Sequence, residues 1–414
     1  MEKKNSDCQE EKEEIIKNLE LYFTNEKTGQ GLPILLPNFV FIRNQIQNFI
    51  RQKWQEFGFN EVITPILGAT QLYQTSEHLI HYQEYMFPEI TKNKECYYLR
   101  PMTCPQHCLI FQRKLRSYNE LPFRLSENSI LFRYETSGSL KGLERVRCLE
   151  LADHHIFVSL DILKQELKNN FLFIEEILKA LEIEDKRIVC SFHDKENKKK
   201  YHGNAVLWEQ SEIFLVNLLE EMKIEYVIEI GEAAFYGPKI DFEVPTANNK
   251  YTTISTIQLD FFLPNKFQLK FLNAAQQLKE IVIIHQSPIG SYQRFIALLL
   301  EQKKGKLPLW LIPIQLIILP INNKESVYFL CEEIKKELEI NKIRVEIWTK
   351  KTLNFRIKEI YKKKIPYYII VGTREVEKQE LVLFNTYTNI ENVISKKNLQ
   401  RDIKKNLFKL SKTN

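Results

Sequence analysis

The stretch FRYETSGSLKGLERVRCLELADHHIF, residues 132–157, carries the pattern that decides the fold of this chain. Arg133 and Glu135 precede a short tip with two glycines, and Arg145 and Arg147 follow it. Glycines and serines at the tip permit a tight turn between two strands. Residues two apart in a strand point to the same face, so Arg133 and Glu135 are expected to share a ligand. The pattern predicts an antiparallel hairpin.

The side chains of this hairpin suit a nucleotide. A guanidinium forks onto phosphate oxygens, so Arg133, Arg145 and Arg147 converging from two strands predict a polyphosphate clamp. Glu135 cannot bind phosphate, but it can accept a hydrogen bond from an exocyclic amine such as that of adenine. The charge pattern alone is more typical of an exposed hairpin with cross-strand Arg/Glu pairs.

Around the hairpin, short strand-like runs at 96–158 and 225–263 indicate an antiparallel sheet. Helical spacing of apolar residues predicts flanking helices at 38–57 and 161–183. Asn38 is a plausible N-cap and Gly58 a plausible C′ residue of the first helix. A buried strand is expected to enter a helix near residue 291.

The tail of the chain alternates strands with helices, which predicts a small mixed α/β domain ending in a helix at about 391–408. A charged QKKGKLP run suggests a linker. We expect an N-terminal extension (1–30), a main domain (31–302), the linker (303–308) and the tail domain (309–414).

Composition excludes several classes of protein. The 414 residues contain no apolar run of about 18, and the charged N-terminus lacks the apolar stretch of a signal peptide. We therefore expect a cytoplasmic protein, or the mature part of an imported one, with no membrane contact. Seven scattered cysteines argue against a disulfide framework.

Charge is distributed unevenly along the chain. Residues 303–414 hold 24 Lys and Arg against 12 Asp and Glu, although the whole chain has a net charge of only +6. A basic module on a mildly acidic body suggests a bound polyanion, with nucleic acid as the leading candidate. A lysine-rich solvated surface is the other interpretation that charge alone leaves open.

The opening stretch resembles motif 2 of class II aminoacyl-tRNA synthetases, GFNEVITP (58–65) resembles motif 1, and IGSYQRF (289–295) resembles motif 3. Further runs are similar to threonyl-tRNA synthetases, in this order: TSEHLIHYQEYMF, RPMTCPQH, SGSLKGLERVR, DHHIF, GEAAFYGPKIDF, STIQLDFFLP and IIHQSPIGSYQRF. The resemblance implies an α/β (α+β) fold. It consists of a class II catalytic domain with an antiparallel sheet flanked by helices and a C-terminal mixed α/β anticodon-binding domain.

The resemblance also implies how ATP binds. Arg133 would hold the α-phosphate and the amino-acid carboxylate, and Glu135 the adenine amine. Arg145 would hold the γ-phosphate, while Arg294 stacks on adenine and neutralises the triphosphate. Lys239 would add positive charge near the transition state, with Mg²⁺ on the pyrophosphate side.

By the same resemblance, Cys104, His155 and His285 bind one Zn²⁺ per subunit, and the amino and hydroxyl groups of threonine occupy its open coordination. Residues 51 and 130 positions apart match no local ligand spacing, so the bare sequence gives no such signal. Four more roles are implied: Asp153, Tyr236 and Gln258 would line the threonine pocket, and His78 would assist transfer to the tRNA ribose. Asp153 could instead orient a ligand imidazole, and His154 is expected to face the other side of its strand.

The implied activity is ATP-dependent ligation of L-threonine to tRNA(Thr) by a homodimer, with Glu375 contacting the anticodon. No editing module is expected within the chain. The sequence departs from the family pattern at several positions, most of them around the expected threonine pocket: Gln106, Leu151, Ala233, Thr253, Ile254, Ser255, Lys350 and Phe384. Two alternatives stay open: an inactive RNA-binding paralogue, and a class II synthetase for serine or proline.

Overall fold

The computed structural model describes residues 12–197, 200–201, 205–246, 250–396, 398–399, 401 and 403. Within these residues the strands, in chain order, are β1 (Tyr22–Phe23), β2 (Ile34–Leu35), β3 (Asn60–Glu61), β4 (Leu67–Ala69), β5 (Ile90–Lys92), β6 (Glu95–Leu99), β7 (Arg116–Ser117), β8 (Phe123–Phe132), β9 (Cys148–Val158), β10 (Arg187–Phe192), β11 (Val227–Ile230), β12 (Lys239–Pro245), β13 (Tyr251–Asp260), β14 (Lys270–Leu272), β15 (Leu278–Glu280), β16 (Val282–Ser287), β17 (Leu316–Pro320), β18 (Val345–Ile347), β19 (Tyr367–Val371), β20 (Glu380–Asn385) and β21 (Ile390–Ser395).

The helices among the same residues are α1 (Pro37–Glu56), α2 (Thr70–Thr75), α3 (His78–His81), α4 (Cys104–Gln112), α5 (Leu160–Ala180), α6 (Ala205–Glu221), α7 (Phe262–Lys266), α8 (Tyr292–Gln302), α9 (Glu325–Ile340), α10 (Leu353–Lys362) and α11 (Thr373–Lys378). Residues 12–18 are also helical. Short 3₁₀ segments lie at Gln83–Tyr85, Tyr118–Glu120, Ser137–Ser139 and Leu309–Leu311.

The chain forms two compact units. The large unit comprises residues 24–33 and 47–298, and the small unit comprises the described residues of 1–23, 34–46 and 299–414. Residues 303–308 contain neither helix nor strand. The domain boundaries expected from the sequence stay predictions.

An eight-stranded sheet, in the order β11-β10-β12-β13-β16-β9-β8-β3, forms the centre of the large unit. Its strands are antiparallel except for β11 and β3, which pair in parallel at the two edges. The predicted antiparallel sheet is therefore confirmed, and α5 packs against β9, β13 and β16. Two three-stranded sheets, β4-β6-β5 and β15-β14-β7, complete this unit.

The predicted hairpin of the opening stretch forms, but its strands end earlier than expected. Strand β8 stops at Phe132 and β9 begins at Cys148, so the arginines and Glu135 lie in the loop beyond the ladder. One further hydrogen bond, from the Arg133 N–H to the Arg147 carbonyl at 2.9 Å, continues the pairing. Beyond it the backbone turns into the 3₁₀ segment at 137–139, which frees these side chains from strict alternation.

Helix α1 confirms the helix predicted at 38–57, with one correction at its start. The helix begins at Pro37, where the missing N–H costs nothing, so Asn38 is not the N-cap. The Asn38 amide instead donates to the Leu19 carbonyl at 2.8 Å. Gly58 has φ +72° and is followed by a Phe59 N–H bond to the Trp54 carbonyl, which confirms a glycine-terminated helix.

The small unit contains a five-stranded mixed sheet in the order β18-β17-β19-β20-β21. The prediction of a last helix from about residue 391 is wrong at its start, because residues 390–395 form β21 and pair with β20. Asn389, with φ +57°, closes the tight turn between these two strands. The described residues between 396 and 403 are helical, and the rest of that prediction lies outside the described residues.

Across the described part of the chain, every helix is too short or too polar to cross a lipid bilayer.

Replacing Gly237 by alanine should destabilise the large unit, because a Cβ at this position would lie 1.8 Å from the Leu259 carbonyl oxygen. We expect Gly237→Ala to lower the free energy of unfolding by about 3 kcal/mol, measured by urea denaturation. Gly138→Ala is the matched control, since nothing lies within 4 Å of its added Cβ. Equal stability of the two variants would contradict the close approach.

Candidate active site

Three side chains that are far apart in the sequence meet on one face of the central sheet. The register of β9 and β16 places His155 directly opposite His285, with their ring centroids 4.6 Å apart. Cys104 opens α4, which packs against β9, and Pro105 pre-organises that first turn. One donor atom from each of the three residues lies within 4.8 Å of the others.

The protonation chemistry of this cluster suits a metal ion of the zinc type. Burial lowers the pKa of His155 well below its ordinary value, so its ring is neutral and keeps a free lone pair. Burial raises the pKa of the Cys104 thiol, so this thiol would release its proton when a metal ion binds. Cysteine and histidine donors in a set of three leave one tetrahedral position open for a ligand. The residues therefore fit the ion that the family resemblance implies.

Each histidine of the cluster has a hydrogen-bond partner that was not predicted from the sequence. The Asp260 carboxylate lies 2.8 Å from Nε2 of His285, and Nδ1 of His107 lies 2.9 Å from Nδ1 of His155. Both partners are completely buried. His107 follows Cys104 by three residues on α4, and Asp260 follows Gln258 by two in β13. Nothing in their local sequence marks them.

Asp153 and His154 occupy opposite faces of β9. Asp153 faces the same side as His155, accepts a hydrogen bond from the Thr103 hydroxyl, and has its pKa raised by burial. His154 lies on the other face, where it contacts Trp54 and Gln286, so the expectation for this residue is confirmed. The carboxylate that touches a ring of the cluster is Asp260, whereas the hydrogen bond of Asp153 goes to Thr103.

A cavity of about 1150 Å³ opens in front of this cluster. Eight of the residues singled out from the sequence line it: Cys104, Arg133, Asp153, His155, Tyr236, Gln258, His285 and Arg294. Tyr236 stacks on the His285 ring at 4.7 Å and donates its hydroxyl hydrogen to the Gln258 side chain. The cavity thus joins the cluster of Cys104, His155 and His285 to two arginines.

A second cavity of about 680 Å³ lies at the hairpin and is lined by Arg133, Glu135, Arg145 and Arg294. Arg133 and Arg294 line both cavities. Arg145 forms an ion pair with Glu135 at 2.8 Å. The cross-hairpin Arg/Glu pair is therefore present beside the arginines that line the cavity. A nucleotide that engaged both side chains would have to separate them.

Arg147 does not join the expected clamp. Its guanidinium lies 4.8 Å from the ring centre of Tyr134 and donates to the Glu135 carbonyl at 2.9 Å. Arg147 is absent from the lining of both cavities because these contacts hold it against the hairpin backbone.

Three further predicted site residues lie outside both cavities. Lys239 forms an ion pair with Asp241 at 2.5 Å. His78 is fully buried, with Nδ1 at 2.9 Å from the Ser76 hydroxyl and Nε2 at 3.4 Å from the Met102 sulfur. In the small unit, Glu375 accepts a hydrogen bond from the Gly372 N–H at 2.7 Å and so caps α11.

Most departures from the family pattern lie on the wall of the larger cavity: Leu151, Ala233, Thr253, Ile254 and Ser255. Gln106 does not line it. This side chain is buried beside the Tyr73 hydroxyl at 3.4 Å, and its carbonyl oxygen has no hydrogen-bond partner among the described residues. Phe384 stacks on Tyr368 at 4.5 Å in the small unit.

Two family descriptions match the chain. Residues 85–303 match the tRNA synthetase class II core domain (G, H, P, S and T), and residues 315–406 match an anticodon binding domain. A crystal structure described as the RNA binding domain of threonyl-tRNA synthetase from Cryptosporidium parvum is 31% identical with a TM-score of 0.85. The alignment covers 94% of this chain and 97% of that one. The chain belongs to the threonyl-tRNA synthetase family.

Other members of the threonyl-tRNA synthetase family are similar over nearly the whole chain. The threonine–tRNA ligase of Ureaplasma parvum serovar 3 is 45% identical over 386 residues, which is 92% of this chain and 66% of that relative. A structure of putative threonyl-tRNA synthetase from Aeropyrum pernix is 26% identical with a TM-score of 0.83, covering 97% of each chain. The fold and the family expected from the sequence are therefore confirmed.

If the three donor atoms bind metal, purified protein should contain one Zn²⁺ per chain. Cys104→Ala should reduce this to below about one tenth, because two histidines alone rarely retain zinc. Cys108→Ala is the matched control, since Cys108 is equally buried on the same helix but is not one of the clustered donors. Elemental analysis of dialysed protein measures the content, and loss of zinc from both variants would contradict the assignment.

Proposed function

We propose that this protein is a threonine–tRNA ligase. In this function it activates L-threonine with ATP to threonyl-adenylate and transfers the threonyl group to tRNA(Thr). The observation that carries the proposal is that Cys104, His155 and His285 line the same cavity as Arg133 and Arg294. One hollow can therefore receive a small amino acid at the cluster and a triphosphate at the arginines.

The nucleotide half of the proposed reaction uses the hairpin. Arg133 binds the α-phosphate and the threonine carboxylate, and Arg294 neutralises the triphosphate. Glu135 accepts a hydrogen bond from the adenine amine, and Arg145 moves from Glu135 to the γ-phosphate. The ion pair between them is partly exposed and weak, so the ligand can replace it at little cost.

The amino-acid half uses the floor of the larger cavity. Cys104, His155 and His285 would hold Zn²⁺, which when bound supplies a Lewis-acid centre selective for an amino and a hydroxyl group. Asp153 contacts the amino group or the hydroxyl, and Tyr236 with Gln258 closes the pocket. A metal ion held by these three donors would discriminate against valine, because valine has a methyl group where threonine has the hydroxyl.

The chemical step needs positioning and charge more than covalent help. A carboxylate oxygen of threonine attacks the α-phosphorus, a new P–O bond forms, and the bond to pyrophosphate breaks. Arg133 and Arg294 stabilise the negative charge that collects on the phosphate oxygens. Lys239 adds positive charge once it leaves Asp241, and Mg²⁺ would supply further positive charge on the pyrophosphate side.

The remaining partners are proposed from the family alone. His78 assists transfer to the terminal ribose of the tRNA, which requires the residues that cover it to move. Glu375 contacts the anticodon, and the enzyme acts as a homodimer. The basic surplus of residues 303–414 supports tRNA binding through phosphates, a contact that contributes affinity without reading sequence.

Amino-acid-dependent ATP/pyrophosphate exchange tests the proposed activity. Threonine should support exchange, valine should be poorer by about ten thousand-fold, and serine by about 10- to 200-fold. Exchange with serine or proline instead of threonine would reassign the substrate. No exchange by folded, zinc-loaded protein would favour an inactive paralogue that binds RNA.

Substitution of the shared arginines should stop activation. We expect Arg133→Ala and Arg294→Ala to lower kcat/KM for exchange by about 100- to 1000-fold, because each removes charge stabilisation of the transition state. Arg51→Ala is the control, since Arg51 lines neither cavity and its side chain pairs with Glu61 and Gln47 at the surface of α1. A loss of less than tenfold in both cavity variants would contradict their role.

A further inference from the structure

A line of buried polar side chains runs from the core of the large unit to the metal-binding cluster. Arg100 donates to the Glu127 carboxylate at 2.8 Å, and Nε2 of His107 lies 3.2 Å from the same carboxylate. Nδ1 of His107 then lies 2.9 Å from Nδ1 of His155. All four side chains are 2% exposed or less, so water does not replace any of these contacts.

The Glu127 carboxylate fixes the direction of the hydrogen bonds between it and His155. An ionised carboxylate only accepts, so the hydrogen between Glu127 and His107 sits on Nε2 of His107. With that hydrogen on Nε2, the Nδ1 lone pair of His107 accepts from His155, which donates from its own Nδ1. His155 is left with its lone pair on Nε2, the atom free to bind a metal.

The carboxylate itself is rigidly held. The Thr64 hydroxyl donates to Glu127 at 2.7 Å, and Arg100 donates to the Thr64 hydroxyl at 2.6 Å and to the Ile130 carbonyl at 2.9 Å. If Glu127 turned to another partner, the buried positive charge of Arg100 would lose the carboxylate that neutralises it. A fixed acceptor fixes the ring of His107, and through it the ring of His155.

We propose that His107, anchored by Glu127, is a positioning residue that sets the tautomer and ring orientation of His155 for metal binding. This inference rests on the proposed zinc site and adds a residue to it. The two histidine ligands differ in this respect, because His285 contacts the Asp260 carboxylate directly whereas His155 reaches its carboxylate through a second imidazole. Partners of this kind orient metal-binding histidines and strengthen their binding.

The neighbouring residue of the same strand offers a matched control. His154 is as buried as His107 and also has hydrogen-bond partners on both ring nitrogens, which are Trp54 and Gln286. Replacing either ring by phenylalanine removes two buried hydrogen bonds at similar volume. Only the His107 variant touches the line that ends at His155.

Zinc affinity, measured by competition with a chromophoric chelator, tests the proposal. We expect His107→Phe to bind Zn²⁺ about 10- to 100-fold more weakly than the unaltered protein, and His154→Phe to stay within about threefold. The visible spectrum of the Co²⁺-loaded protein should change for His107→Phe alone. Unchanged affinity and an unchanged spectrum in His107→Phe would overturn the positioning role while leaving the zinc site intact.

A measurement without mutation covers the case in which a variant fails to fold. Long-range ¹H–¹⁵N spectra of histidine-labelled, zinc-loaded protein report which ring nitrogen carries hydrogen. We expect hydrogen on Nε2 of His107 and on Nδ1 of His155. The opposite tautomer of His107 would overturn the proposal, and unaltered protein that takes up no zinc would overturn the proposed metal site together with it.

Discussion

The alignment of β9 with β16 is the constraint on which the site depends. It sets His155 opposite His285 on the face that carries the cavity, and it sets His154 opposite Gln286 on the other face. A slip of one residue would exchange these two faces, because side chains alternate along a strand. On its other side β9 pairs with β8 from Cys148 to Phe157, and this long ladder opposes such a slip.

The second organising feature is the position of two arginines between two cavities. Arg133 follows the end of β8, and Arg294 lies in the first turn of α8. Each lines both the cavity at the hairpin and the cavity at the cluster. A reaction that joins a carboxylate to an α-phosphate needs positive charge at the junction of the two substrates. The fold supplies this charge from two separate segments.

The sequence predicted the outline of this architecture better than its details. Residues 132–157 indicated the hairpin, and the ordered runs indicated the family, so the sheet and the convergence of Cys104, His155 and His285 followed from the resemblance. Spacing alone could not have found these three, because long-range strand pairing leaves no local signature. Asp260 and His107 were missed for the same reason.

The errors have local causes. Arg147 was expected in the clamp, yet the hairpin loop turns its guanidinium onto Tyr134. The helix expected from residue 391 is a strand at first, because a tight turn at Asn389 pairs it with β20. Alternating and helical patterns are hard to separate over so few residues.

X-ray absorption at the zinc edge of the purified protein tests the central claim most directly. Coordination by Cys104, His155 and His285 predicts one sulfur at about 2.3 Å and two imidazole nitrogens at about 2.0–2.1 Å, with the sulfur contribution lost in Cys104→Ala. A first shell without sulfur, or one with two or more sulfurs, would show that the three side chains do not hold the metal together.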